Sequence, residues 1–292
     1  MIPFFSIIIP TYNRAHILLR AIDSVMNQSF QDFEIIVVDD GSTDNTNDLI
    51  KSSYASDIIY KYQTNSGVCI ARNHGAIQAK GKYLVFLDSD DWLTTNCLER
   101  YHTCSIDSSC KLVLGSITYY DNNLNIIRKI DPTFKSSHYG QGLAGSFAIS
   151  TEIFNRMGGY DIKLTFAENS DFFLRLRLES RVLVHQIQVA PHAGVCIFKE
   201  ESSTRKRRYM LKKYDSVKYF LVKHSKFFRD SKRDFINFQR VLALSALRCN
   251  LNKEARQALI SIIVRYPESF RTYFQLVLFA FPAFALKYYD SK

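Results

Sequence analysis

Residues 83–92 read Tyr-Leu-Val-Phe-Leu-Asp-Ser-Asp-Asp-Trp, an apolar run that ends in three carboxylates, Asp88, Asp90 and Asp91. A buried strand that stops in carboxylates puts negative charge at the C-terminal edge of a sheet, where open α/β folds bind ligands. Carboxylates crowded there repel one another, so a cation is their natural partner. Hard oxygen donors suit Mg²⁺ or Mn²⁺, usually shared with the phosphates of a nucleotide. The competing reading makes the aspartates caps of a following turn or helix, where Asp is also favoured.

Three further segments carry polar groups at the ends of apolar runs. Pro10-Thr11-Tyr12-Asn13-Arg14 follows the first run, and Asp39-Asp40-Gly41-Ser42 follows the second. Gly67 to Asn73, containing Arg72, opens a helical stretch. The elements that must hold these segments alternate in period. Phe5–Ile9, Glu34–Val38, Asp57–Tyr62 and Lys82–Leu87 read as strands. Leu18, Ala21, Ile22, Val25 and Met26 share one helix face at i, i+3, i+4, i+7 and i+8, and Val68–Ala79 reads as another helix. Strand–helix alternation at this spacing predicts an α/β fold, with βαβ units and a mostly parallel sheet covered on both faces. Further along, Lys111–Tyr120 reads as a strand, Asp121-Asn122-Asn123 as a turn and Asn169–Glu179 as a helix.

The chain has 292 residues, enough for one large domain with an appendage. Its six cysteines show no paired CxxC spacing, which predicts reduced thiols of a cytoplasmic protein and argues against a zinc site or a disulfide framework. The apolar start lacks a basic lead-in and reads as a first strand, not a signal peptide. From Lys199 to Lys292, 21 Lys/Arg face 8 Asp/Glu, a balance of +13; residues 1–198 hold 17 against 20, a balance of −3. That asymmetry suggests a region facing an anionic surface. The soft boundary falls near residue 200. Residues 1–200 form the site-bearing part, split near 100, and 201–292 form a basic helical extension.

The four motif segments, in this order and spacing, closely resemble the inverting glycosyltransferases of family 2, over roughly residues 4 to 200. The resemblance implies the GT-A fold, Rossmann-like with helices flanking the sheet, and transfer of a sugar from a nucleotide diphosphate to a glycan or lipid-linked glycan. Residues 1–100 would then bind the nucleotide and 101–200 shape the acceptor side. It implies that Pro10, Tyr12 and Arg14 border the nucleotide pocket and that Asp40 reads the base, with Asp39 as the alternative or a holder of the ribose. It gives Arg72 the diphosphate. Asp90 becomes the direct ligand of Mn²⁺ or Mg²⁺, with Asp88 on the ribose or the metal-bound water, and Asp91 the cap that follows. UDP is the preferred nucleotide, with dTDP- and GDP-sugars left open.

The catalytic base departs from the family pattern. The family supplies it from a Glu-Asp pair at a helix start, and the matching stretch here is Ala167-Glu168-Asn169-Ser170-Asp171-Phe172-Phe173-Leu174-Arg175. Asn169 stands where the base aspartate belongs, and an amide accepts no proton. Three readings stay open: Glu168 is the base, Asp171 is the base, or the chain binds sugar nucleotides with little turnover. Glu168 and Asp171 both also suit a helix N-terminus for capping alone. By the same resemblance, the segments from Gly142 to Ser150 and from Ile153 to Asp161 shape the acceptor side. His192 matches a histidine near the metal or diphosphate, and Lys199, Ser202 and Thr204 match a loop over the donor.

Basic residues from Arg205 to Arg233 interleave with Tyr209, Tyr214, Tyr219, Phe220, Phe227 and Phe228. This predicts helices lying on anionic lipid, with Phe270–Tyr289 docking in the interface and no nucleic-acid partner. The competing reading packs those aromatics internally. The expected setting is the inner face of a bacterial cell membrane, in surface-polysaccharide assembly such as capsule or lipopolysaccharide.

Overall fold

A computed structural model describes residues 2–54, 56–107, 109–121, 123–132, 143–179, 184–198 and 207–290. The chain divides into two units, one of residues 1–162 and 168–201 and one of residues 163–167 and 202–292.

The first unit opens with β1 (Phe5–Thr11), α1 (Ala15–Met26), β2 (Phe33–Asp39), α2 (Thr46–Tyr54), β3 (Ile58–Tyr62), α3 (Val68–Gln78) and β4 (Tyr83–Phe86). β1 pairs in parallel with β2 on one side and β4 on the other, and β2 pairs in parallel with β3. This is the expected α/β alternation, and its apolar runs are continuous because the sheet is buried on both faces. Ile7 and Ile9 pack into one core with Leu18, Ile22 and Val25 of α1; Ile8 packs into the other with Cys69 and Ala71 of α3.

The chain continues through β5 (Trp92–Leu93), α4 (Cys97–Ser105), β6 (Leu112–Tyr120), β7 (Ile126–Ile130), β8 (Phe147–Ser150), α5 (Thr151–Arg156), α6 (Glu168–Glu179), a 3₁₀ turn at Val184–Gln186 and β9 (Ile187–Phe198). Among the described residues the sheet has nine strands, ordered β3-β2-β1-β4-β8-β6-β9-β5, with β7 beside β6. β8 pairs antiparallel with both β4 and β6. Sequence periodicity does not reveal β5, β7 or β8, which are short and lie outside the regular strand–helix alternation of the first hundred residues or at its end.

Topology then collects the motifs. The chain leaves β1 toward β2 and β3, then returns to lay β4 on the opposite side of β1. That reversal makes a switch point at the C-terminal strand ends, the place where open α/β sheets bind ligands. Thr11, Asp39 and Tyr62 lie in register there, and Leu87 N–H donates to the Ile8 carbonyl, so Asp88 emerges at the same edge.

The second unit is helical: α7 (Arg207–Lys223), α8 (Ser225–Asp230), α9 (Lys232–Arg248), α10 (Asn252–Arg265), α11 (Phe270–Leu278) and α12 (Pro282–Asp290). Its core joins Ala243, Ala246 and Leu247 of α9 to Ala255, Leu259 and Ile262 of α10. Several aromatics that the sequence reading turns toward lipid lie inside instead. Tyr214, Phe220 and Phe228 are buried, and the Phe220 and Phe228 rings meet Phe238 at 4.7 and 5.5 Å. Core packing claimed them because α7, α8 and α9 need an apolar filling. Among the described residues no helix is long and apolar enough to cross a membrane. The side chains of Arg205–Arg208, together with Gly142, Lys199, Ser202 and Thr204, lie outside the described residues.

Candidate active site

The two carboxylates after β2 are held by neutral donors. Asp39 Oδ1 accepts from Ser42 N–H at 2.7 Å and Oδ2 from the Tyr60 hydroxyl at 2.6 Å. Asp40 Oδ1 accepts from Gln63 Nε2 at 2.7 Å and Ser66 N–H at 2.8 Å, and Oδ2 from Gly67 N–H at 2.8 Å. Asp40 thereby ties the end of β2 to the start of α3, where Gly67 is the N-cap. A carboxylate offers about four acceptor positions, so Asp40 keeps one for a ligand. Gly41 makes the turn possible: its φ is +86°, and a Cβ would sit 2.7 Å from Asn65 N.

The loop after β1 is tied to the same turn. Asp40 N–H donates to the Thr11 carbonyl, Asn13 N–H to Ser42 Oγ, and Thr43 N–H to Asn13 Oδ1. Pro10 is buried in β1, Tyr12 is 47% exposed, and Arg14 caps α1. Arg14 Nη1 reaches Asp90 Oδ2 at 3.7 Å. The residues read from the first two motifs thus lie together at the C-terminal edge of the sheet.

The loop after β4 is different in kind, because its carboxylates meet mainly one another and arginines. Asp91 N–H donates to the Asp88 carbonyl, closing a tight turn, and Arg20 Nη2 donates to the Asp90 carbonyl. The buried Asp91 carboxyl is pushed up to about 9, first by loss of water and then by the charges of Asp88 and Asp90. Asp91 is therefore one of a crowded trio as well as a turn residue. These hard oxygen donors fit Mn²⁺ or Mg²⁺, which relieve such crowding and take only one or two protein carboxylates alongside phosphates. Among the described residues no three His, Cys, Asp or Glu side chains are arranged to hold a metal by themselves. His192 is engaged elsewhere, with Nδ1 2.7 Å from Lys129 Nζ of β7.

Arg72 joins this loop to the helix that bears the base candidates. It is 2% exposed; Nη2 lies 2.5 Å from Asp88 Oδ1, Nη1 lies 3.0 Å from Glu168 Oε1, and its guanidinium lies 5.5 Å from the Tyr160 ring centroid. Burial works against the charge, but Asp88, Tyr160 and Glu168 outweigh it and raise the Arg72 pKa. In the sequence reading Arg72 serves the diphosphate; here it also links Asp88 and Glu168 across 80 residues of chain.

The other two base positions are occupied differently. Asn169 Oδ1 accepts from the Tyr160 hydroxyl at 3.0 Å. Tyr160 is fixed in turn by Asn73, which exchanges two 2.9 Å bonds with its backbone. Asp171 is fully buried, and its Oδ2 lies 2.7 Å from Arg175 Nε. Arg175 donates its remaining groups to the carbonyls of Met157 and Gly159, so Asp171 and Arg175 clamp the Gly158–Gly159 turn. Ala167, just before Glu168, has φ +63°, a left-handed conformation that costs a non-glycine residue about 1–2 kcal/mol. Sequence reasoning passed over Asn73, Gln63, Tyr60 and Ala167. Asn73 lay inside a quoted motif, but its partner is 87 positions away.

A mostly parallel sheet with carboxylates at its switch point, extended by antiparallel strands, is the architecture of the GT-A class. A match to glycosyl transferase family 2 spans residues 6–162, and the chain belongs to that family. An uncharacterized glycosyltransferase of Haemophilus influenzae is 33% identical over 157 residues, 53% of this chain and 63% of that protein. The Escherichia coli UDP-Glc:alpha-D-GlcNAc-diphosphoundecaprenol beta-1,3-glucosyltransferase WfaP is 33% identical over 179 residues, 60% of this chain and 70% of that protein. The match to glycosyltransferase GlyA of Streptococcus pneumoniae spans only 17% of GlyA's length. Among solved structures, S. aureus TarS 1–349 in complex with UDP-GlcNAc superposes with a TM-score of 0.60 at 20% identity, covering 89% of this chain and 80% of that one. That likeness is one of fold.

Proposed function

We propose that this chain transfers a sugar, with inversion, from a UDP-sugar to a glycan or lipid-linked glycan of the bacterial surface. The observation that carries the reading is Arg72: one buried guanidinium holds both Asp88, of the donor-side motif, and Glu168, at the start of α6. Donor and base machinery are thereby joined in one cluster.

In this reading Glu168 is the base. Its Oε1 accepts from Arg72, and Oε2 takes the proton of the acceptor hydroxyl as that oxygen attacks the anomeric carbon. The bond from that carbon to the diphosphate oxygen breaks, and nucleoside diphosphate leaves. The remaining acceptor position of Asp40 suits a uracil imide N–H, and Tyr12 offers a ring face beside it. Asp90 and Asp88 would hold Mn²⁺ or Mg²⁺, which would supply Lewis-acid neutralisation of charge on the leaving diphosphate. The UDP-GlcNAc in the TarS structure and the donor and acceptor in WfaP's name support the nucleotide and the lipid-linked acceptor. The basic helical unit would hold the enzyme on the inner membrane surface, where such an acceptor resides.

The test is release of nucleoside diphosphate from a panel of UDP-, dTDP- and GDP-sugars with Mn²⁺ and a diphosphoprenyl-linked sugar acceptor, for wild type and Glu168→Gln. UDP release by wild type, lost in the variant, is the expected result. Pyrophosphate release, or equal turnover by both proteins, would overturn the reading.

A further inference from the structure

Helix α11 buries two polar side chains while leaving large apolar ones outside. Its inward side carries Thr272, 0% exposed, and Gln275, 7%, beside Leu278, 6%, whereas Phe270, Phe274 and Val277 stand 81%, 56% and 65% exposed. Those three lie at i, i+4 and i+7, one stripe of a helix. Exposure continues past the turn at Phe281 and Phe284, 66% and 63%. Phe274 meets the Tyr288 ring edge-on at 6.2 Å, which ties the stripe to α12.

The polar groups on the inward side are held by specific bonds. Arg240 Nη2 donates to Thr272 Oγ1 at 3.0 Å, the hydroxyls of Ser269 and Thr272 lie 2.7 Å apart, and Gln275 Nε2 donates to the Tyr289 hydroxyl at 2.7 Å. Rolling α11 to bury its phenyl groups would break all of these. The helix is therefore committed to an outward apolar face, an arrangement that in a soluble protein marks an interaction surface.

Charge says what covers it. No carboxylate occurs between Phe270 and Tyr289, while Arg271 and Lys287 are exposed. The flanking acids are engaged, Glu268 by Lys232 and Asp290 by Arg248. Two such faces brought together would oppose cation to cation with no acid to answer them. We propose that the outer face of α11 and α12 seats in the headgroup region of an anionic bilayer. Phe270, Phe274, Phe281 and Phe284 enter the acyl boundary, and Arg271 and Lys287 meet lipid phosphates. This deepens the membrane placement proposed above and narrows it to the last two helices, the segment that the sequence reading already docks in the interface, since Tyr214 and Phe220 of α7 are core.

The experiment is co-sedimentation of the full chain with phosphatidylcholine vesicles and with vesicles in which about a third of the lipid is phosphatidylglycerol. Three proteins are compared: wild type, a Phe270→Ser/Phe274→Ser/Phe281→Ser variant, and an Arg271→Glu/Lys287→Glu variant. Wild type is expected on anionic vesicles, with affinity lower by about tenfold or more in each variant. All three should keep the same UDP–Mn²⁺ thermal shift, so failure of the donor-site reading would appear separately. Equal vesicle binding by wild type and the serine variant would overturn the assignment. So would a wild type that ignores both vesicles but self-associates through these phenylalanines. Should the serine variant melt without cooperativity, the charge variant decides alone.

Discussion

The two carboxylate groups of the sheet edge are built on opposite principles. Asp39 and Asp40 are surrounded by neutral N–H and O–H donors, which hold each oxygen in place and leave little charge to compensate. Asp88, Asp90 and Asp91 are crowded together, and their charge is answered by Arg14, Arg20 and Arg72 rather than by dipoles. The first arrangement suits recognition of a neutral base edge, because its geometry is preset. The second suits a multivalent cation and the diphosphate it carries, because Asp88 and Asp90 still crowd the buried Asp91 despite those arginines. Adjacent aspartates in one sheet edge thus acquire different chemistry from their surroundings alone.

The comparison can be broken at several points. Glu168→Gln has the largest expected effect, a fall in transfer of about 10²–10⁴-fold per folded molecule, beyond whatever stability is lost by weakening the pair with Arg72. A variant that keeps wild-type turnover would move the base off Glu168. Asp171→Asn should act on the fold instead. Breaking its buried pair with Arg175 costs about 3–5 kcal/mol by denaturant titration, while turnover per folded molecule persists. Turnover that vanishes from a stably folded Asp171→Asn would return that residue to the base role.

On the charged side, Asp90→Ala should abolish the Mn²⁺-dependent part of nucleotide stabilisation, about 2.7 kcal/mol at a hundredfold excess over the dissociation constant. Metal-independent stabilisation of equal size in both proteins would contradict the cation reading. On the neutral side, Tyr60→Phe removes the hydroxyl that donates to Asp39 and should cost about 1.5–3 kcal/mol of stability, with nucleotide affinity falling alongside it. Asn169→Asp is the mildest change. Its oxygen can still accept from Tyr160, so transfer should shift by less than about tenfold, roughly 1.4 kcal/mol. A large gain would identify Asn169 as a damaged base and Glu168 as its neighbour only.

Much of residues 1–100 could be read in advance, because strands buried on both faces write continuous apolar runs and the polar motifs sit directly at their ends. The strands β1 to β4 and the edge on which Asp39, Asp40 and Asp88 meet follow from that pattern. Residues 101–200 were less readable, since β7 and β8 are short and pair antiparallel, β8 with the distant β4. The helical unit misled in one respect. Interleaved basic and aromatic residues look alike whether the aromatics face lipid or core, and three of them proved to be core.

Sequence by itself determined the family, the alternation of strands and helices, and the identity of the carboxylates at the strand ends, because local periodicity and motif spacing carry that information. Only the tertiary structure decided how those groups divide. It brought Arg72 between Asp88 and Glu168, set Asp171 against Arg175, and turned the phenylalanines of α11 outward. Each of these depends on residues far apart in the chain meeting in space, and no local pattern in a sequence records such a meeting.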